Sequence, residues 1–155
     1  MITLVKLYPK YGLNRLWKEL EAERKNLYMD NVKPIFAFQV EGKGHVTIML
    51  DINSVDAIQE EILERINKAM SLRKTETVPL MCPLFFPVKE GVDYTLGRFI
   101  SYLEVAPGKY DEVYQKILKT KFTNDTFLRW MSYSLSKEDI ILFMFSDDRE
   151  STNEF

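Results

Sequence analysis

The run Ile140-Ile141-Leu142-Phe143-Met144-Phe145 is apolar at every position, with Asp139 before it and Asp147 after Ser146. A strand dry on both faces reads this way, because polar–apolar alternation disappears when neither face meets water. Ser136-Lys137-Glu138 supplies a turn before it, and the aromatic-rich run 127–135 supplies a partner strand. If this hairpin is central, its sheet needs cover on both sides. The expectation is amphipathic helices on one side and a second sheet on the other.

Earlier in the chain, 2–8 reads as a strand stopped by Pro9 and turned by Gly12. Leu13, Leu16, Trp17, Leu20, Leu27 and Tyr28 then recur at helical spacing between polar residues. Asp30-Asn31 and Pro34 end that helix. The β-branched and aromatic runs 34–40 and 45–52 flank Glu41-Gly42-Lys43-Gly44, a hairpin link. Asn53 or Ser54 caps a second helix whose stripe is Val55, Ile58, Ile62, Ile66 and Ala69. The strand 77–88 carries Pro79, Pro83 and Pro87, all missing a donor toward the same neighbour, which predicts an unpaired edge or a bulge at the sheet's periphery. A strand over 98–105, the turn Ala106-Pro107-Gly108, and a third helix with the stripe Tyr110, Val113, Tyr114, Ile117 and Leu118 follow. Residues 121–125 connect that helix to the hairpin.

The predicted class is α+β, with antiparallel sheets carrying helices on one face. The order is βαββαβ followed by βαββ, two tandem ferredoxin-like halves, the second shortened. The halves are assigned to 1–88 and 98–147, with a linker at 89–97 and an acidic mobile tail at 148–155, within one compact domain.

Composition adds constraints. A chain of 155 residues buries roughly 70% of its unfolded surface, so neither disulfides nor structural metals are required. With 21 Lys and Arg against 23 Asp and Glu and no basic run, the concentrated cationic surface that binds phosphate backbones is not evident. Cys82 is the sole cysteine, which excludes an intrachain disulfide or a thiolate zinc cluster. The N-terminus shows no signal-peptide pattern, and no apolar run nears the ~20 residues of a membrane span. A cytoplasmic protein without cofactor or metal is expected.

A strand ending Leu103-Glu104-Val105, then Ala106-Pro107-Gly108-Lys109, a helix carrying Asp111-Glu112-Val113, and Ser136-Lys137-Glu138-Asp139 opening an apolar strand resemble the small-molecule-binding domain of the Lrp/AsnC regulators. More broadly, they resemble the dimeric α/β-barrel superfamily. Gly42-Lys43-Gly44-His45, the strand up to Asp51 and the helix from Ser54 resemble it in the first half. Ser136 stands where those regulators usually have glycine, and their DNA-binding helix-turn-helix has no counterpart here. The resemblance implies sheets packed face to face as a barrel, within one chain or in a homodimer through sheet faces.

Strand alternation assigns candidate pocket residues. Phe99, Leu103 and Val105 suit the helices, leaving Arg98, Tyr102 and Glu104 on the other face. Phe36, Phe38, Val40, Val46, Ile48 and Leu50 likewise suit the helices, leaving Gln39, His45 and Thr47; Arg129 and Tyr133 join them from the second hairpin. Together these form a polar lining among apolar walls, the usual form of a small-molecule site. The alternative is that they are surface ions or part of a subunit interface. His45, the only histidine, is the candidate general base or, if the barrel held haem, axial ligand, though a lone histidine at a hairpin end is ordinarily exposed. Gly42-Lys43-Gly44 lacks the Gly-Lys-Ser/Thr ending of a phosphate loop and joins two strands. Asp51, Asp56 and Glu60 follow no cation-binding loop pattern. Cys82 reads as core, Trp17 and Trp130 as core or interface. The first reading is a non-catalytic module binding a small molecule or a protein partner. The alternatives are a cofactor-independent enzyme resembling barrel monooxygenases and an RNA-associated ferredoxin-like protein using Lys43 and His45.

Overall fold

The computed structural model describes residues 1–27, 32–87, 97–120, 126–136 and 138–146. Its chain divides into two units, Met1–Leu80 and Met81–Phe155. In the first unit β1 (Ile2–Pro9), β2 (Val32–Val40), β3 (His45–Ile52) and the start of β4 (Leu72–Phe85) lie in the order β2-β3-β1-β4. All three pairings are antiparallel. The helix α1 (Leu13–Glu23) runs into a 3₁₀ turn, Arg24–Leu27. It begins after Gly12, whose φ of +121° suits only glycine.

The second helical segment has three parts: α2 (Val55–Ala57), a π-helical stretch (Ile58–Ile66) and α3 (Asn67–Ala69). Ser54 is the cap, its hydroxyl accepting from the Ala57 N–H at 3.3 Å. Ile62 and Ile66 are buried but Val55 and Ala69 are exposed, so the predicted stripe is shorter than its periodicity suggests. Leu16 and Leu20 of α1, together with Ile62 and Ile66, pack on Val5, Leu7, Val46, Ile48 and Leu50 in one core. The helices therefore cover a single face of this sheet.

The second unit holds the end of β4, β5 (Gly97–Leu103), α4 (Tyr110–Lys119), β6 (Thr126–Ser134) and β7 (Ile140–Ser146). β7 lies between β5 and β6, antiparallel to both. All of Ile140, Ile141, Leu142, Phe143 and Met144 are buried, as a strand dry on both faces requires. Tyr114 and Ile117 of α4 cover Leu128, Met131, Ile140, Leu142 and Met144. Tyr110 and Leu118 are exposed, again narrowing the predicted stripe. The β6–β7 turn is knitted by short polar contacts. Ser136 donates to Glu138 Oε2 at 2.8 Å, and the Asp139 carboxylate accepts the Val105 N–H at 2.7 Å.

Three expectations change. β4 starts at Leu72 and has a strand partner in each unit, β1 and then β6, so it is no unpaired edge. The irregularity its prolines predict instead appears at Cys82, whose φ is +52°. That residue is exposed, not core. The division between units falls within β4, ahead of the predicted linker. Residues 89–96 of that linker, the connection 121–125, and the tail 148–155 lie outside the described residues. Among the described residues no helix is long and apolar enough to cross a membrane.

Leu142→Ala should lower unfolding free energy by about 2–5 kcal/mol in urea denaturation, because a fully enclosed side chain leaves a cavity. Val55→Ala, at a position 70% exposed, should stay within about 0.5 kcal/mol of the parent. Equal effects would contradict the assignment of the core.

Candidate functional site

On the helix-free face of the first unit, β1 presents Leu4, Lys6 and Tyr8, and β3 presents His45, Thr47 and Met49. The register sets Lys6 opposite Thr47 on one side and Glu76 on the other. Lys6 Nζ lies 3.6 Å from Glu76 Oε1, and the Tyr8 hydroxyl donates to Glu76 Oε2 at 3.1 Å. The Tyr8 and His45 rings are 5.0 Å apart. Lys6 is 4% exposed, His45 2% and Thr47 0%. A buried ammonium needs a counter-charge, and Glu76 supplies it.

His45 is therefore buried, against the expectation of an exposed hairpin end. Neither ring nitrogen reaches hydrogen-bond geometry, and the Thr47 hydroxyl is likewise unsatisfied. Burial pushes the His45 pKa below the usual histidine value, and the Lys6 and Lys43 cations push the same way. The Lys43 backbone and the Glu76 carboxylate oppose the shift without overcoming it. A neutral imidazole beside a lysine, a tyrosine and a carboxylate has the components of proton-transfer chemistry. Solvent reaches neither nitrogen in this conformation.

The helix-bearing face holds a different feature, a groove of about 280 Å³ between α1 and β2. Pro34 interrupts β2, and the pairing register with β3 shifts between Pro34 and Phe36. Beyond that shift Ala37 pairs with Ile48 and shares its helix-facing side. The small side chain of Ala37 leaves room opposite Trp17 and Leu20, and Glu21, Arg24 and Ile35 also line the groove. The Trp17 indole N–H donates to Glu21 Oε1 at 2.9 Å, which fixes the ring across the groove.

The same register shift moves Gln39. It pairs with Val46 and so lies on the helix side, not with His45, while Phe36, Phe38 and Val40 take the opposite side. A second shift between Leu128 and Trp130 does the same to Tyr133, which stacks on Tyr114 of α4 at 4.3 Å. Burial raises the pKa of both phenols. Arg129, at that shift, donates from Nη1 to the Phe86 carbonyl and accepts the Phe86 N–H on its own carbonyl at 2.8 Å, a structural clamp. Arg98 and Tyr102 do lie opposite the helix, paired with Phe145 and Ile141. Arg98 is exposed above the Phe145 ring, and Glu104 is exposed beyond the end of β5. The five candidates of the second unit therefore do not converge on one point within it.

Lys6, Tyr8 and Glu76, and the groove residues Trp17, Arg24, Ile35 and Ala37, were not among the expected site residues. Lys6 did carry a signal, a lone charge inside the apolar strand Thr3-Leu4-Val5-Lys6-Leu7. No protein-family model, curated protein or solved structure matches the chain.

The buried imidazole makes stability depend on pH. An unfolded histidine takes up a proton near pH ~6.5, while folded His45 resists until lower pH. The unfolded state therefore binds more protons below that value, and stability falls as pH drops until the folded pKa is reached. Carboxylates such as Glu19, whose pKa the Ser71 backbone N–H lowers, lose their contribution at more acidic pH. Thermal melts between pH ~7.5 and ~5.5 should show a declining midpoint that His45→Gln flattens. Equal slopes in the two proteins would refute a neutral buried imidazole.

Proposed function

We propose that the chain is a non-catalytic binding module of two tandem ferredoxin-like halves, and that its first half takes a small, largely apolar molecule in the groove between α1 and β2. The strand order β2-β3-β1-β4, with two helical segments on one face, supports the ferredoxin-like reading of that half. Kinship to the dimeric α/β-barrel superfamily, and with it a homodimer, rests on the sequence resemblance; Leu4 and Met49 are buried on the helix-free face within a single chain. The groove carries the functional part of the reading. Its volume is near the low end of the ~300–1,000 Å³ common for ligand sites, and its walls are largely apolar, with Glu21 and Arg24 as the charged residues in the lining. Arg24 there suits a ligand with one anionic group.

A second reading, a cofactor-independent enzyme, is favoured by the neutral His45 beside Lys6, Tyr8 and Glu76. It requires that face to open to substrate. The two readings separate by site, since the groove and His45 lie on opposite faces of one sheet.

The aromatic sulfonate 1-anilinonaphthalene-8-sulfonate tests the groove. Its fluorescence should rise on binding, and Ala37→Phe, which fills the space, should weaken binding at least about tenfold without lowering the melting temperature. His45→Gln should bind like the parent. Undiminished binding by Ala37→Phe would place the ligand elsewhere.

A further inference from the structure

The end of the β1–β4 ladder gathers cations that the sequence scatters. Pro9 pairs with Leu72 and Tyr8 with Lys74, and the Lys10 N–H donates to the Ser71 carbonyl at 3.0 Å. The chain leaving β1 therefore runs beside the chain entering β4, with Lys10 against Ser71 and Tyr8 against Lys74 at one end of the sheet. Lys10, Arg15, Arg73 and Lys74 are all exposed there.

Two tyrosines organise them. Lys74 Nζ lies 4.4 Å and Arg73 Cζ 5.9 Å from the Tyr8 ring centre. Lys10 Nζ lies 5.4 Å and Arg15 Cζ 4.5 Å from that of Tyr11. Such cation–π contacts hold charge over an aromatic surface without neutralising it. Arg15 also meets Glu19 at 3.4 Å, a carboxylate already held by the Ser71 N–H and hydroxyl. Glu76 is occupied by Lys6 and Tyr8. Among the described residues, Lys10, Arg73 and Lys74 have no carboxylate within ion-pair distance. Tyr11 remains 59% exposed.

The geometry points to a binding surface for a single-stranded polynucleotide at this end of the first unit: Lys10, Arg73 and Lys74 track phosphates, and Tyr11 stacks a base. Exposed aromatics interleaved with cations are how single strands are held without sequence readout. Tyr8 and Tyr11 are three residues apart, a span of at most about 11 Å of chain, so the patch accommodates roughly two or three nucleotides. Composition alone argues against such a surface because net charge averages over the chain, whereas phosphate binding depends on local density. The groove reading above is independent of it.

Fluorescence anisotropy of a labelled oligouridylate of about twelve nucleotides, with the full chain between ~20 and ~200 mM KCl, tests the surface. Three neutralised phosphates predict a slope of log affinity against log salt of about −2. Lys10→Glu combined with Lys74→Glu should weaken binding more than about tenfold at the lower salt, and the milder Arg73→Gln should reduce the slope by about one half to one. Tyr11→Ala should weaken binding by about tenfold and leave the slope unchanged. Lys116→Glu, an exposed reversal on α4, should change nothing. Melting temperatures within about 2 °C of the parent verify that the variants fold. No anisotropy change at the lowest salt, an equal loss in Lys116→Glu, or full affinity in Tyr11→Ala would each overturn the assignment.

Discussion

The structure depends on burying its inner strands on both faces. In β7, successive residues from Ile140 to Met144 are buried, and in β3 so are those from His45 to Leu50. A strand in that position has no water on either side, so any polar group it carries or faces must be held internally or stay neutral. Glu76 is consequently held by both Lys6 and Tyr8, and the His45 imidazole is driven toward its uncharged form. These polar contacts are consequences of burial on both faces before they are candidates for chemistry.

Against that background, two local slips decide which side chains meet which surroundings. A strand inverts its faces when one residue is added on one side of a ladder. The slip at Pro34–Phe36 turns Ala37 toward α1 and opens the groove, and it separates Gln39 from His45. The slip at Leu128–Trp130 brings Tyr133 against Tyr114 and leaves Arg129 bonded to Phe86. Neither depends on burial alone, since Phe36 and Phe38 are half-buried on the side they occupy.

Most of the element order was legible because it follows from periodicity. The apolar run of β7, the stripes of α1 and α4, the Ser54 cap and the Gly-containing β2–β3 link each carry their own local signal. Cys82 was misplaced because its left-handed backbone, which a non-glycine residue rarely adopts, carries no compositional signature. The face a candidate residue takes was legible only where alternation ran unbroken, as at His45, Thr47, Arg98 and Tyr102. It failed at Gln39 and Tyr133, where a register slip intervened. Pro34 was visible as a helix stop, but its second effect, breaking the β2 ladder, depends on which residues β3 offers opposite. The cationic end was hidden for another reason. Residues 8–10 and 71–74 are neighbours only through the β1–β4 pairing, and no window along the chain contains both.

The first unit thus presents three environments on one sheet, each set by a different part of its geometry. The helix-free face is dry because β1 and β3 are buried there. The α1 side has a groove because β2 is irregular and carries a small residue at Ala37. The end of the β1–β4 ladder is charged because two polar connections meet where pairing stops. These causes are separable: filling the groove at Ala37 leaves Lys6 and Glu76 in place, and reversing Lys74 leaves the Trp17–Glu21 contact untouched. A substitution that altered all three together would have to act through the β1–β3–β4 register itself. Changes confined to one environment therefore report on function, whereas changes at Val5, Leu7 or Ile48, where the helices meet the sheet, report on the fold.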